Sequence, residues 1–395
     1  MPTRRNLERL ASLACLLAAC SPPPGPALPI AAPPAASTAP SGSVPAPAAV
    51  LPRPFAPEAA ASHRPAPAPL PPRVPVPAPV PARTGLARGT GTPADLALAE
   101  GDAAFERDEL TAAKAAYGRA LRLAPGDPAP PAGLARVTLA APELDLALGS
   151  APGNRSVLAV DKDLAAARQK SPDFSPLLRE HGKALLVLGR ADAALAALRR
   201  AVELVPNDLE AVSTLAVTLM SVGKSAEALP HLRHAVALAP EDAGPLTNLG
   251  TALLLTGDTG GAADAFEKVV ALSPNEARAH SDFGTACLTQ GRIQRAVTEL
   301  TRATELEPGR ATYRSNLAHA LELAGNLEQA RASAQRATEL DPKLGSAWIN
   351  LGTIAARQGS YADARRAFQR ALALDPTDPR PKANLEELEE LERKR

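Results

Sequence analysis

Apolar residues recur at spacings of three and four along residues 93–395, which predicts amphipathic helices rather than strands. The pattern itself repeats along the chain. A proline ends each of seven successive blocks, and the constant interval between these prolines is called the repeat period here. These prolines are Pro172, Pro206, Pro240, Pro274, Pro308, Pro342 and Pro376. A fixed period of this size, about 34 residues, indicates a solenoid, in which each unit buries its apolar face only against its neighbours.

Small residues hold fixed places in every block. A glycine stands midway between successive prolines, where a helix must end in a left-handed residue. These glycines are Gly189, Gly223, Gly257, Gly291, Gly325 and Gly359. An alanine stands five places after each of them and is expected to face Gly or Ala on the preceding helix, so that the two helices approach closely. Leu or Phe fills the remaining space, which explains how a chain with only 3% aromatic residues packs a core.

This pattern resembles the tetratricopeptide repeat family. The last unit matches it most clearly, through Trp348, Leu351, Gly352, Gly359, Tyr361, Ala364, Phe368, Ala371 and Pro376. The resemblance implies an all-α fold, a right-handed superhelical solenoid of about eight helix-turn-helix repeats with a C-terminal capping helix. It also implies a non-enzymatic scaffold for protein–protein interaction.

The predicted array covers residues 93–378. Its units are expected at about 94–127, 128–174, 175–208, 209–242, 243–276, 277–310, 311–344 and 345–378. The first unit has Asp108 where the turn glycine belongs. The second is longer than the others, and its surplus is predicted as a loop at 144–156 between two helices. Residues 379–395 place Leu on one face and Glu on the other, which predicts the polar capping helix that a solenoid end requires.

The N-terminus resembles a lipoprotein signal peptide. Residues 1–9 are basic and residues 10–19 are apolar, a run too short to span a bilayer. The end of the run, Leu-Ala-Ala-Cys20, resembles the bacterial lipobox, which implies cleavage after residue 19 and lipidation of Cys20. Ser21 directly after the cysteine implies transfer to the outer membrane. The resulting expectation is an outer-membrane lipoprotein that faces the periplasm of a Gram-negative bacterium; an ordinary signal peptide is the alternative.

Residues 20–92 are predicted to be a disordered tether. More than half of the 42 prolines lie in this segment, which has neither a strand nor a helix period. At about 3.1 Å per residue, a polyproline II segment of this length would reach at most about 220 Å.

Charge argues against nucleic-acid partners. The net charge is +1, but residues 1–92 carry an excess of six positive charges, which leaves the predicted array with a net charge of −5. Binding to a phosphate backbone needs a basic surface on the folded part. The chain has three cysteines, and after cleavage only Cys20 and Cys287 would remain, so no intramolecular disulfide is expected.

The resemblance places the first helix of every unit along a concave groove. There, one residue per unit reads Glu180, Thr214, Asn248, Asp282, Asn316 and Asn350, which we call the Asn row. Three places onward, the Thr row reads Thr251, Thr285, His319 and Thr353. An Asn amide can both donate to and accept from a peptide backbone, so both rows are candidate partner-binding residues. The alternative is that these amides only meet water.

Catalytic interpretations lack a motif. There is no Walker A loop, dinucleotide-binding turn, GxSxG or zinc-ligand spacing. His231 and His234 lack an evident third ligand, and Cys287 falls on a buried face. No enzyme activity, cofactor, metal or small-molecule substrate is therefore expected.

Protein or peptide partners and a membrane held through the lipid anchor are the expected contacts. Resemblance to tetratricopeptide lipoproteins implies assembly of an envelope machine such as a pilus or secretin. The alternatives are an adaptor that recruits cell-wall enzymes and a self-assembling structural array.

Overall fold

The computed structural model describes residues 85–142 and 144–393. The predicted signal peptide at residues 1–19, the predicted lipidation residue Cys20 and most of the predicted tether lie outside the described residues.

Within these two ranges the chain forms seventeen α-helices and no strand. They are α1 (Pro93–Glu106), α2 (Leu110–Leu123), α3 (Ala129–Leu139), α4 (Arg155–Lys170), α5 (Ser175–Val187), α6 (Ala191–Leu204), α7 (Leu209–Ser221), α8 (Ser225–Leu238), α9 (Ala243–Leu255), α10 (Thr259–Leu272), α11 (Ala277–Thr289), α12 (Ile293–Leu306), α13 (Ala311–Leu323), α14 (Leu327–Leu340), α15 (Gly345–Arg357), α16 (Tyr361–Leu374) and α17 (Pro379–Arg393). The prediction of an all-helical solenoid is confirmed. Odd-numbered helices up to α15 are the first helices of their units, and even-numbered helices are the second.

Helices stack in chain order. Each helix packs against the next one along the chain, with the smallest contact across the insertion between α3 and α4. Most consecutive first helices also pack against each other, whereas consecutive second helices make little contact. Because the first helices lie closer together than the second helices, the first helices form the inner, concave face of the stack.

The turn inside each hairpin depends on a left-handed residue. The six predicted turn glycines have φ between 71° and 85°. Asp108 takes this place in the first unit with a φ of 62°. The next amide, Glu109 N–H, then donates to the Ala104 carbonyl at 2.9 Å, as Asn326 N–H donates to the Leu321 carbonyl at 2.9 Å in a glycine turn. Asp is among the few residues that tolerate this conformation, so the first unit keeps the turn without glycine.

Close approach of the two helices in a hairpin requires glycine where a bulky side chain lies across it. A Cβ added at Gly352 would lie 2.5 Å from Phe368 Cε1, and one at Gly250 would lie 2.8 Å from Phe266. In the unit that has Ala318 at this place, the facing residue is Ala334, and both are fully buried. In these units a phenylalanine therefore lies opposite glycine, and alanine lies opposite alanine.

Gly352→Ala is expected to destabilise the array by about 1–3 kcal/mol, because the new methyl group overpacks the contact with Phe368. Gly345→Ala in the same helix is the matched control, since a Cβ there meets nothing within 4 Å. It should be neutral or stabilising by about 0.5–1 kcal/mol. Urea unfolding of both variants checks the difference, and equal midpoints would contradict this packing.

The insertion in the second unit packs on the third unit. Leu144 and Leu146 are buried, and Gly149 N–H donates to the Leu186 carbonyl at 2.9 Å. Ala151 N–H donates to the Val187 carbonyl at 3.2 Å. The bond from Ala151 satisfies the Val187 carbonyl, which the last turn of α5 leaves without a helical partner, and the bond from Gly149 adds to the Leu186 carbonyl, which also accepts from Gly189 N–H at 2.9 Å.

The two ends of the array are covered differently. At the C-terminal end, α17 buries Leu388 completely against the last hairpin, and Arg365 pairs with Glu392 at 2.6 Å. At the N-terminal end, residues 85–92 lie against α1, with Leu86 only 2% exposed. The predicted tether therefore gives way to ordered contacts eight residues before its predicted boundary, because Asp95 and Asp102 bind the backbone of this segment.

Candidate partner-binding groove

Exposure divides the Asn row into two parts. Asn248 is 1% exposed, whereas Asp282, Asn316 and Asn350 are half-buried. The Thr row divides at the same unit, because Thr251 is 1% exposed and Thr285, His319 and Thr353 are half-buried. The structure thus differs from the prediction at Asn248 and Thr251, which offer almost no surface to a partner.

Amide groups of the Asn row also bond between repeats. Asn350 Nδ2 donates to the Ser315 carbonyl at 2.9 Å and lies 3.0 Å from its hydroxyl, which joins α15 to α13. The buried Oδ1 of Asn248 has no hydrogen-bond partner among the described residues, and neither has the hydroxyl of Ser213. Stabilisation of the stack is therefore one role of this row.

Hydroxyl groups of the Thr row satisfy themselves within their helices. Thr285 Oγ1 donates to the Ser281 carbonyl at 2.8 Å, and Thr251 Oγ1 donates to the Thr247 carbonyl at 3.0 Å. Since the hydroxyl proton is already used, a partner would find Thr285 as a hydrogen-bond acceptor.

Charged side chains lie on the same face in the last four units. Asp282 pairs with Arg278 at 3.5 Å. Glu322 accepts from Arg357, and its carboxylate lies 3.5 Å from His319 Nδ1. Burial favours a raised pKa at Glu322, but hydrogen bonds from His319 and Arg357 outweigh it and lower the pKa.

An apolar margin accompanies the polar rows and was not predicted from the sequence. Its four leucines are Leu254, Leu255, Leu288 and Leu323, in the last turns of α9, α11 and α13. Each lies three or four residues beyond a member of the Thr row and so shares its helix face. Leu255 is 43% exposed and the others are half-buried. The open part of the groove therefore joins polar groups to an apolar edge.

The first four units carry buried charged groups beneath the same face, and four of these groups, Asp102, Arg136, Glu180 and Lys183, lie at row positions. We call this group the buried ionic cluster; its members are Asp102, Arg136, Arg179, Glu180, Lys183, Asp208 and Glu210. Arg179 and Glu180 are fully buried, and no member's side chain is more than 12% exposed. Four carboxylates thus surround three cations beneath the surface.

Arg179 lies at the centre of the buried ionic cluster. Its guanidinium contacts Asp208 at 2.7 Å, Glu180 at 2.9 Å and Glu210 at 3.2 Å. Lys183 Nζ contacts Glu180 at 3.1 Å and also pairs with Glu210. Arg136 extends the cluster, since it lies 3.5 Å from Glu180.

Electrostatics in the cluster favour the ionised carboxylates. Burial by itself would raise the pKa of Glu180, but the charges of Lys183 and Arg179 outweigh it and lower the pKa. The same balance of burial against Arg179 and Lys183 lowers the pKa of Glu210 far below its ordinary value. Burial would lower the pKa of Arg179, yet the neighbouring carboxylates raise it.

With this geometry in place, comparison with known families decides the repeat type. A family model described as tetratricopeptide repeat matches residues 213–277, 281–345 and 324–379, about two-fifths of the chain. The chain contains tetratricopeptide repeats.

Solved structures agree on the tetratricopeptide fold. The hetero-tetramer Cut9–Hcn1 of the APC/C aligns with a TM-score of 0.53 and 16% identity, covering 76% of this chain and 57% of that chain. A tetratricopeptide repeat protein from Parabacteroides merdae aligns with a TM-score of 0.50 and 16% identity, covering 59% of this chain and 92% of that one. At this identity the likeness concerns the fold alone, and this chain spans little more than half of the first structure's chain. No curated protein matches the sequence.

The residues weighed for catalysis fit the tetratricopeptide core and surface. Cys287 is fully buried, and burial raises the pKa of its thiol, which disfavours the nucleophilic thiolate. His234 Nε2 lies 3.0 Å from the Pro206 carbonyl, and burial lowers the pKa of His231. Among the described residues, no three His, Cys, Asp or Glu side chains are grouped as metal ligands.

None of the described helices combines the length and apolar character that a membrane span requires.

Proposed function

We propose that the chain is a non-enzymatic scaffold whose tetratricopeptide array binds an extended segment of a protein partner in the open part of its groove, formed by the last four units. One observation carries this proposal: half-buried polar groups of both rows share a concave face with the exposed Leu255. A surface that offers hydrogen-bonding groups beside apolar side chains fits a peptide backbone flanked by apolar residues.

Energetics support the participation of both kinds of group. Amide contacts of about 0.5–1.5 kcal/mol each would give at most about 3 kcal/mol for the two accessible amides, Asn316 and Asn350. Micromolar affinity needs about 8 kcal/mol. Burial of the leucine margin at about 25 cal/mol per Å² of apolar surface would contribute most of the difference. The preferred partner segment is therefore extended and carries apolar side chains along one edge.

Site-specific photo-crosslinking in intact cells tests the groove. A photoreactive residue in place of Thr285 is expected to give a partner adduct, whereas one in place of Arg302 on the outer face of α12, 44% exposed, should give none. Leu255→Ser combined with Asn316→Ala should reduce the groove adduct at least several-fold.

Leu123→Ser is the matched control for this double variant, because Leu123 is 56% exposed at the end of a second helix, outside the groove. It should leave the adduct unchanged. Neither change removes a buried side chain, so the thermal midpoint should stay nearly constant. Equal adducts from positions 285 and 302 would contradict the proposal.

We further propose that Cys20 carries lipid and holds the scaffold at the outer membrane, facing the periplasm, where assembly of an envelope machine is the process that it serves. The sequence Leu-Ala-Ala-Cys20 after a short apolar run supports this placement. Lasting attachment requires more than one acyl chain, which lipidation of an N-terminal cysteine supplies.

Replacement of Cys20 by Ala is expected to move the protein from the membrane fraction to the soluble periplasmic fraction. Metabolic labelling with a fatty-acid analogue should mark the unaltered chain and not the variant. Replacement of Cys15 by Ala is the control and should preserve both membrane attachment and labelling. An unchanged distribution of the Cys20 variant would refute the anchor.

A further inference from the structure

The segment of residues 85–92, which we call the arm, lies across the concave face of the first unit in a bent conformation. Asp102 Oδ2 accepts from Leu86 N–H at 2.6 Å and from Ala87 N–H at 3.0 Å. Asp102 belongs to the Thr row, since Arg136 follows it by one repeat period and Lys183 follows Arg136 by one period plus the insertion. A groove position thus binds the backbone of the arm.

A second carboxylate binds the next part of the arm. Asp95 accepts from the N–H groups of Arg88 at 2.6 Å and Thr90 at 2.6 Å, and from that of Gly91 at 3.3 Å. Gly89 has a φ of 74°, which turns the chain so that these N–H groups converge on one side chain. The bond from Arg88 N–H is the main cause that lowers the pKa of Asp95, so the carboxylate is ionised at neutral pH.

Two side chains of the arm have their own contacts. Leu86 is 2% exposed and joins the core of the first two units. Arg88 donates to both oxygens of Asp127, at 2.9 and 2.8 Å, and its guanidinium lies 5.3 Å from the centre of the Phe174 ring. Bidentate pairing and stacking on an aromatic ring together favour Arg over Lys. The site therefore recognises an apolar residue and an arginine two positions later.

This site is held in shape by residues outside the arm. Tyr117 donates its hydroxyl to Asp102 Oδ1 at 2.8 Å, and Arg136 lies 3.7 Å from the same oxygen. Asp102 is thereby joined to the buried ionic cluster through Arg136. Because these contacts do not involve the arm, the carboxylate stays oriented when the arm leaves.

We propose that the concave face of the first unit is a second peptide-binding site, specific for a segment of the form Leu-x-Arg in the bent conformation of the arm, and that the arm occupies it as an intramolecular ligand that a partner segment of the same form displaces. The first unit would then bind only partners that compete with the arm.

The test uses the full chain and a synthetic peptide with the sequence of residues 85–92, in which a photoreactive leucine analogue takes the place of the leucine. Leu86→Ser combined with Arg88→Ser weakens the arm. Since a tethered ligand has an effective concentration of about 1 mM or more, a peptide at about 0.1 mM should label the weakened chain about tenfold more than the unaltered chain. Mass spectrometry should locate the adduct within α1 to α3.

Two controls separate recognition from a general loosening of the chain. Asp102→Asn in the weakened chain should reduce labelling to background while circular dichroism shows an intact array. A peptide with Gln in place of its Arg should label poorly, and Asp127→Asn should remove the difference between the two peptides. Equal labelling of the weakened and unaltered chains, or adducts outside the first two units, would overturn the proposal.

Discussion

Arg179→Met is expected to destabilise the N-terminal half of the array by about 3–5 kcal/mol, the range found when one partner of a buried ion pair is removed. The side chain is fully buried against Glu180, Asp208 and Glu210. Methionine fills part of the volume but leaves these carboxylates without their central cation, in a place where water cannot replace it. Urea unfolding measures the loss of stability.

Arg200→Met is the matched control, because Arg200 makes two ion pairs on the surface, with Asp173 and Glu203, and is 44% exposed. Exposed pairs contribute about 0–1 kcal/mol, so this change should be small. Hydrogen exchange should locate the effect of Arg179→Met in α3 to α7 and leave α13 to α16 unchanged, since stability in a solenoid is a sum of local terms. Equal midpoints for the two variants would contradict the account of the cluster.

Contacts between first helices differ between the two halves of the array. In the N-terminal half, the buried ionic cluster joins α1, α3, α5 and α7 through Asp102, Arg136, Glu180 and Glu210. In the C-terminal half, α13 and α15 are joined by Asn350, which donates to Ser315, and by Arg357, which pairs with Glu322. Asn350 and Arg357 stay half-buried. Closure of one half and openness of the other explain why the accessible polar groups of the proposed groove begin at the sixth unit.

The constant repeat period was sufficient to predict the solenoid. Each unit carries its own turn glycine and its own small residues at the crossings, so the local sequence specifies the hairpin before any distant contact forms. Asp108 shows the limit of this reasoning, because the missing glycine did not alter the turn.

Burial within the groove could not be predicted from the same period. Asn248 and Asn316 are the same residue type in the same place, yet the first is buried and the second is half-buried. Their neighbours in the preceding unit differ, since Thr214 is fully buried and Asp282 is not. Exposure therefore depends on which side chains the neighbouring helices place beside each position, which the repeat period does not encode.

The ionic cluster and the arm were missed for separate reasons. The insertion lengthens the interval between Arg136 and Lys183 beyond one repeat period, which hides their relation in the sequence. The arm follows a Pro-rich segment and has no period of its own. Its order depends on two carboxylates contributed by α1, and a pattern confined to the arm cannot indicate them.

Acid is expected to unfold the N-terminal half of the array first. The pKa values of Glu180 and Glu210 are lowered in the folded state, whereas those of unfolded glutamates lie near 4.3. Their stabilising contribution is thus complete above about pH 4.3 and is lost as the pH falls below it, because only the unfolded chain then takes up protons. Each such carboxylate lowers the free energy of unfolding by about 1.4 kcal/mol per pH unit. Urea unfolding between pH 7 and 3 should show this slope below about pH 4.3. Glu210→Gln should reduce the slope by about 1.4 kcal/mol per pH unit, the contribution of one carboxylate. An unchanged slope in this variant would contradict the lowered pKa of Glu210.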